Sequence, residues 1–115
     1  QEKDVLSKIP VSVMSFSWSA IEKVKRLNPD IPTTLLLHKH TPWFQIKYSS
    51  AVAIGPEIDH LRAEPIRAKR IQELGRSLNV WTVDSDSDIK LCKRLGVDIL
   101  ITNKPAHARE VLRYP

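Results

Sequence analysis

Three small groups of side chains in this sequence have types and spacings that could do chemistry. His38 and His40 stand two residues apart behind an apolar run, as a pair that begins a metal site would. A tetrahedral site needs further donors, and neither His60, His107 nor a cysteine joins the pair at suitable spacing, so it reads as two solvated loop histidines. Asp84-Ser85-Asp86-Ser87-Asp88 has the alternating oxygens of a calcium loop. The position that must be glycine for the turn is Ile89, however, and the position that must be a bidentate glutamate is Leu95, so helix capping is the expected role. Cys92, the single cysteine, has no partner for an internal disulfide. It shares an apolar helix stripe with Ile89 and Leu95, where a small core thiol is expected and a nucleophile is not.

The frame that positions these groups is bounded by composition. The 115 residues are 42% hydrophobic and 27% charged, which suits one globular unit able to bury a core. No apolar run approaches the roughly 18 residues that cross a bilayer, and the chain opens on Gln-Glu-Lys-Asp, so neither a membrane span nor a signal peptide is expected. The expected location is cytoplasmic. A net charge of +5 and a pI near 9.6 raise the question of nucleic acid. The basic residues alternate with acids on the polar sides of expected helices and have no aromatic stacking platform beside them, so no nucleic-acid partner is expected.

Apolar runs of about five residues alternate with helical periods, the pattern of βα units around a parallel sheet. Val11 to Phe16 predicts a strand and Ser17 to Asn28 a helix, with Ile21, Val24 and Leu27 on one face, Ser19 and Glu22 spaced as a capping box, and Pro29 ending it. Thr33 to Leu37 predicts the second strand. His38 to Ser50 has no clear period and reads as a loop with a short helical turn, and Ala51 to Ile54 reads as a short strand-like satellite ending at Gly55-Pro56. Pro65 to Leu78 predicts a helix, Asn79 to Val83 a strand, and Asp84 to Asp88 the cap of a helix that Gly96 closes. Asp98 to Thr102 predicts the last strand and Pro105 opens the last helix. Residues 1 to 9 read as the tail of an earlier helix.

Three segments then carry a family resemblance over nearly the whole chain. Ser15-Phe16-Ser17-Trp18 with Leu27-Asn28-Pro29-Asp30-Ile31-Pro32, then Trp81-Thr82-Val83-Asp84, then Gly96-Val97-Asp98-Ile99-Leu100-Ile101-Thr102-Asn103-Lys104-Pro105, resemble in order the closing motifs of glycerophosphodiester phosphodiesterases. Ser17 stands where the family commonly has an acid, Asp84 where it has Asn, and Asn103 where it has Asp.

The resemblance implies an α/β fold, namely the C-terminal half of a (β/α)8 TIM barrel with about four βα units, the whole chain being one partial domain. A complete barrel of this kind takes about 250 residues. It further implies that the general acid/base histidines, one in a His-Arg-Gly segment, and the carboxylate ligands of a divalent metal, Mg or Ca, lie in the other half. On this reading the chain binds no cofactor itself and furnishes the substrate side of the pocket. Ser15, Phe16 and Trp81 would line it, Asp84 would touch substrate hydroxyls, and Trp43 and Phe44 would cover the substrate. The implied reaction hydrolyses a small glycerophosphodiester to an alcohol and glycerol 3-phosphate, with the isolated chain expected to be inactive. Its expected partners are the missing N-terminal half barrel or a second copy of itself. A non-catalytic half-barrel binding or dimerisation module is the alternative, and a small doubly wound, flavodoxin-like domain is a third reading that lacks its Gly-rich phosphate loop.

Overall fold

The computed structural model describes residues 11–113; the helix expected over residues 1 to 9 lies outside them. The elements are β1 (Val13–Ser15), α1 (Trp18–Leu27), β2 (Thr33–Leu36), α2 (Trp43–Tyr48), β3 (Ala53–Gly55), α3 (Ile58–Ala63), α4 (Ile66–Gln72), β4 (Ser77–Val80), α5 (Asp86–Leu95), β5 (Ile99–Leu100) and α6 (Pro105–Arg113). All five strands pair in parallel, in the order β1-β2-β3-β4-β5. A doubly wound sheet reverses its order at a switch point; a barrel adds each strand beside the last. The sequential order therefore sets the flavodoxin-like reading aside. A closed barrel of this class needs eight strands, and among the described residues β1 and β5 do not pair with each other, so the sheet is a five-stranded arc.

Two faces follow from the alternation of side chains along a strand. Leu35, Ile54 and Leu78 are register partners across the three central strands and are fully buried. They pack against Ile21, Ile46, Leu61, Ile71 and Ile89 of the helical layer, which forms the core. The opposite face carries Met14, Thr34, Leu36, Ala53, Gly55, Ser77, Asn79 and Ile99. In the middle of the arc these are mostly small and covered, whereas Met14 on β1 and Ile99 on β5 stand 44% and 51% exposed. This is the lumen side of a barrel, uncovered at both ends of the arc. Among the described residues no helix is long and apolar enough to cross a membrane.

The structure departs from the sequence reading in several places. Ala53–Gly55 is the central strand of the sheet and no satellite, paired on both sides by β2 and β4. The helix expected to run to Leu78 stops at Gln72, because Gly75 adopts the left-handed region at φ 76° and turns the chain into β4. Leu78 continues the helical period of Ile71 and Leu74 by coincidence. The cap of α1 is Ser17, whose Oγ accepts from Ala20 N at 3.2 Å, in place of the Ser19/Glu22 box. Glu22 instead accepts from Ser50 N at 3.0 Å and Ser50 Oγ at 2.7 Å, tying α1 to the chain ahead of β3. The expected features at the other end hold: Ser85 caps α5, Gly96 ends it at φ 71°, and α6 starts at Pro105.

Cys92 is 2% exposed, and its thiol is pushed up to about 11 by burial, with the nearby Asp88 carboxylate adding to the shift. Native protein at pH 8 will leave a thiol reagent such as Ellman's reagent unreacted until denaturant is added. Labelling of the folded chain within seconds would contradict this placement.

Candidate functional site

In parallel α/β folds the carboxyl ends of the strands and the loops beyond them form the site. Continuing the lumen-facing alternation past the strand ends, Met14 leads to Phe16, Leu36 to His38 and Asn79 to Trp81. The three rings do meet. Phe16 lies edge-on to Trp81 with centroids 5.7 Å apart and planes at 81°, and lies 6.3 Å from the His38 ring. An edge-to-face pair places the positive rim of one ring against the negative face of the other, which fixes mutual orientation as well as contact.

Gly55 makes this arrangement sterically possible. A Cβ there would come within 2.9 Å of Leu36 Cδ2 and 3.2 Å of Asn79 O. The bare backbone instead offers its carbonyl twice, to Leu37 N at 2.9 Å and to Trp81 Nε1 at 2.7 Å. The indole is thus pinned across the end of β3. Its backbone is held too: Trp81 N donates to Pro56 O at 3.3 Å and Ile58 N donates to Trp81 O at 2.7 Å, while the Trp81–Thr82 peptide is cis.

The other residues expected in the site are placed differently. Ser15 points to the helix side of β1, where its Oγ accepts from Ser17 N at 3.0 Å and shapes the turn into α1. Trp43, at the start of α2, packs on the core and carries the Arg70 guanidinium of α4 over its ring at 4.3 Å. Phe44 is 57% exposed and touches neither Phe16 nor Trp81 through a ring contact. The structure therefore brings Phe16 and Trp81 together and leaves Trp43 and Phe44 apart from them.

Asp84 ties two loops of the mouth together. Its Oδ1 accepts from Thr102 Oγ1 and from Asn103 N, each at 2.8 Å, and its Oδ2 accepts from Asn103 Nδ2 at 3.2 Å. The Asn103 backbone N–H, followed by the Thr102 hydroxyl, holds its carboxyl below the usual carboxylate range. Hydrogen bonds to His107 and to Arg62 do the same for Asp86 and Asp88. A group with a depressed folded value contributes stability above its ordinary value, near pH 4, and loses that contribution as pH falls through the folded value. The melting temperature is thus expected to fall as pH drops below about 4. Asp84→Asn will lower the melting temperature at pH 7 and flatten the acid limb; an unchanged acid limb would show that Asp84 does not hold these loops.

Glu57, Asp59, Trp81, Thr82, Asp84 and Asp88 line an open cleft of about 450 Å³ beside the Trp81 loop. Its carboxylates repel a phosphate, and Asp59 and Asp88 are engaged by Arg62 at 3.0 and 2.8 Å. Among the described residues no group of three or more His, Cys, Asp or Glu could hold a metal ion. No metal-dependent step is assigned to these residues. His38 and Gly55 belong to the candidate site by position, and neither was expected there. The available signal for His38 was its parity, two residues beyond Leu36 on the lumen side.

Comparison with known proteins supports the same architecture. Residues 2–107 match the glycerophosphoryl diester phosphodiesterase family model. A probable glycerophosphodiester phosphodiesterase 1 of Mycobacterium tuberculosis is 33% identical over 101 residues, covering 84% of this chain and 36% of that protein. A glycerophosphodiester phosphodiesterase of Galdieria sulphuraria, described as putative, superposes with a TM-score of 0.75 at 26% identity, over 88% of this chain and 43% of that one. An Oleispira antarctica phosphodiesterase, solved with sn-glycerol-3-phosphate, matches in fold with a TM-score of 0.80 at 14% identity, over 98% of this chain and 48% of that one. The chain spans about a third of the length of the curated relative and under half of the solved structures.

Proposed function

The chain belongs to the glycerophosphoryl diester phosphodiesterase family, and from that premise we propose that it supplies the substrate-side wall of a phosphodiesterase barrel whose acid/base groups and divalent metal, Mg or Ca, lie in an N-terminal half. The observation that carries this reading is the Phe16–Trp81 pair, set on the lumen side at the carboxyl ends of β1 and β4. Two rings locked edge to face offer apolar surface to the CH faces of a glycerol or alcohol moiety without competing for the phosphate. The cleft beside Trp81 is lined by carboxylates, so an anionic diester is favoured on the Phe16 and His38 side of the indole. On the lumen side Met14 and Ile99 are open to the remaining strands of a ring. Hydrolysis in the closed barrel would release an alcohol and glycerol 3-phosphate. Ser15 and Asp84 support this site by shaping the turn into α1 and tying the loops at its mouth.

The test is Trp81→Ala in the barrel completed by an N-terminal half. Loss of one aromatic wall is expected to raise KM roughly tenfold, equivalent to about 1.4 kcal/mol, with kcat changed far less. An unchanged KM would remove Trp81 from the pocket. The open edges of the arc also favour a second reading, a non-catalytic module that pairs with another copy of itself. A mass that doubles with concentration in light scattering, with no hydrolysis after completion of the barrel, would favour that reading.

A further inference from the structure

The lumen row at the mouth contains one polar ring whose hydrogen-bonding capacity the fold only half uses. His38 is held at three points. Its N–H donates to Oγ1 of the buried Thr41 at 3.0 Å, its carbonyl accepts from Thr41 N at 3.1 Å, and its Nδ1 accepts from His40 N at 3.3 Å. The last bond fixes the tautomer: a ring that accepts at Nδ1 carries its proton on Nε2 when neutral. The ring then lies beside Phe16, which itself meets Trp81. Among the described residues Nε2 has no hydrogen-bond partner. The exposed ring is thus anchored at Nδ1 and set beside Phe16, with its Nε2–H left unused by the fold.

We propose that the Nε2–H of His38 is a substrate-binding hydrogen-bond donor, directed to an oxygen of the phosphodiester or of its glycerol part as that substrate rests on the Phe16–Trp81 wall. The inference rests on the proposed phosphodiesterase function and adds the polar contact that the aromatic wall lacks. An N–H donor set beside flat apolar rings recognises a ligand with an oxygen acceptor next to CH groups, which describes a glycerophosphodiester. His38 makes this contact as a binding residue, and no proton transfer is assigned to it.

Three variants separate the roles in the completed barrel. His38→Ala removes ring and donor, His38→Phe keeps a ring against Phe16 without the donor, and His38→Gln keeps an N–H near the position of Nε2. With glycerophosphocholine, His38→Ala and His38→Phe are expected to raise KM roughly tenfold, and His38→Gln to stay within about threefold of the parent, with kcat little changed in all three. A substrate that keeps the phosphate and lacks glycerol hydroxyls, bis(p-nitrophenyl) phosphate, distinguishes the acceptor: a KM rise with both substrates assigns the phosphate, and a rise with glycerophosphocholine alone assigns a hydroxyl. A parental KM for His38→Phe, alongside a raised KM for Trp81→Ala, would overturn the inference and leave the wall intact. Parental values for both variants would overturn the wall as well. Should a variant fail to fold, the ring nitrogen spectrum of 15N-histidine-labelled parent protein decides the matter. A proton on Nε2 and a shift of that resonance on adding glycerophosphocholine to the completed barrel support the contact; a proton on Nδ1 or an unmoved resonance overturns it.

Discussion

Replacing Ile54 by alanine will lower the unfolding free energy of the chain by about 3 kcal/mol in denaturant titration, within the range for large-to-small changes at buried aliphatic positions. Ile54 is fully buried at the centre of the arc, with Leu35 and Leu78 in register on either side. The lost methyl groups would leave a cavity among side chains that the sheet and the five helices α1 to α5 already hold in place, so collapse around it is restricted. β3 is three residues long and has no spare length to shift. Leu27, which is 75% exposed at the end of α1, serves as the control: its replacement by alanine should change stability by about 0.5 kcal/mol or less. An Ile54→Ala effect no larger than that control would mean that β3 is not the middle of the sheet.

That central position was the least visible element in the sequence. Ala51 to Ile54 looks like a fragment because a strand of three residues leaves too few positions to show an alternation, and Gly55-Pro56 cuts it short. The longer buried strands were legible. Thr33–Leu36 reads as a strand because parallel strands covered on both faces show continuous apolar and β-branched runs. Helix ends with chemical punctuation, such as Gly96 and Pro105, were legible for the same reason, since a left-handed φ or a missing N–H admits few residue types. The end of α4 was not, because Leu78 keeps the helical period beyond the turn at Gly75.

The candidate site divides along similar lines. Phe16 and Trp81 were found through the motifs that contain them, and the structure adds their edge-to-face contact. Ser15 lies in the same motif, but strand alternation points it to the helix side, where it accepts from Ser17 N. Trp43 looks like a lid in sequence because an aromatic after a strand end often is one; its stacking under Arg70 depends on a helix that starts more than twenty residues later, which no local pattern reveals. Asp84 reads as a free carboxylate at a strand end until the loop after β5 folds back, bringing three donors from Thr102 and Asn103. His38 was dismissed as a metal ligand for want of partners, and the sequence holds no sign that Thr41 and His40 would anchor it.

On the proposed function this arc forms the wall of a pocket whose chemistry resides elsewhere in a closed ring. The mouth as described holds aromatic rings, one anchored histidine and loop-binding carboxylates, with no metal-binding cluster among the described residues. On the proposed function this set binds and orients the diester, and the cleavage falls to an acid, a base and a metal in the N-terminal half. The most direct test is turnover of glycerophosphocholine with Mg²⁺ or Ca²⁺, measured for the isolated chain and for the chain together with an N-terminal half barrel of the family. The expected result is no release of choline or glycerol 3-phosphate above the buffer control from the isolated chain, and a rate at least about 10⁴-fold higher once the barrel is complete. Sustained hydrolysis by the isolated chain would contradict it.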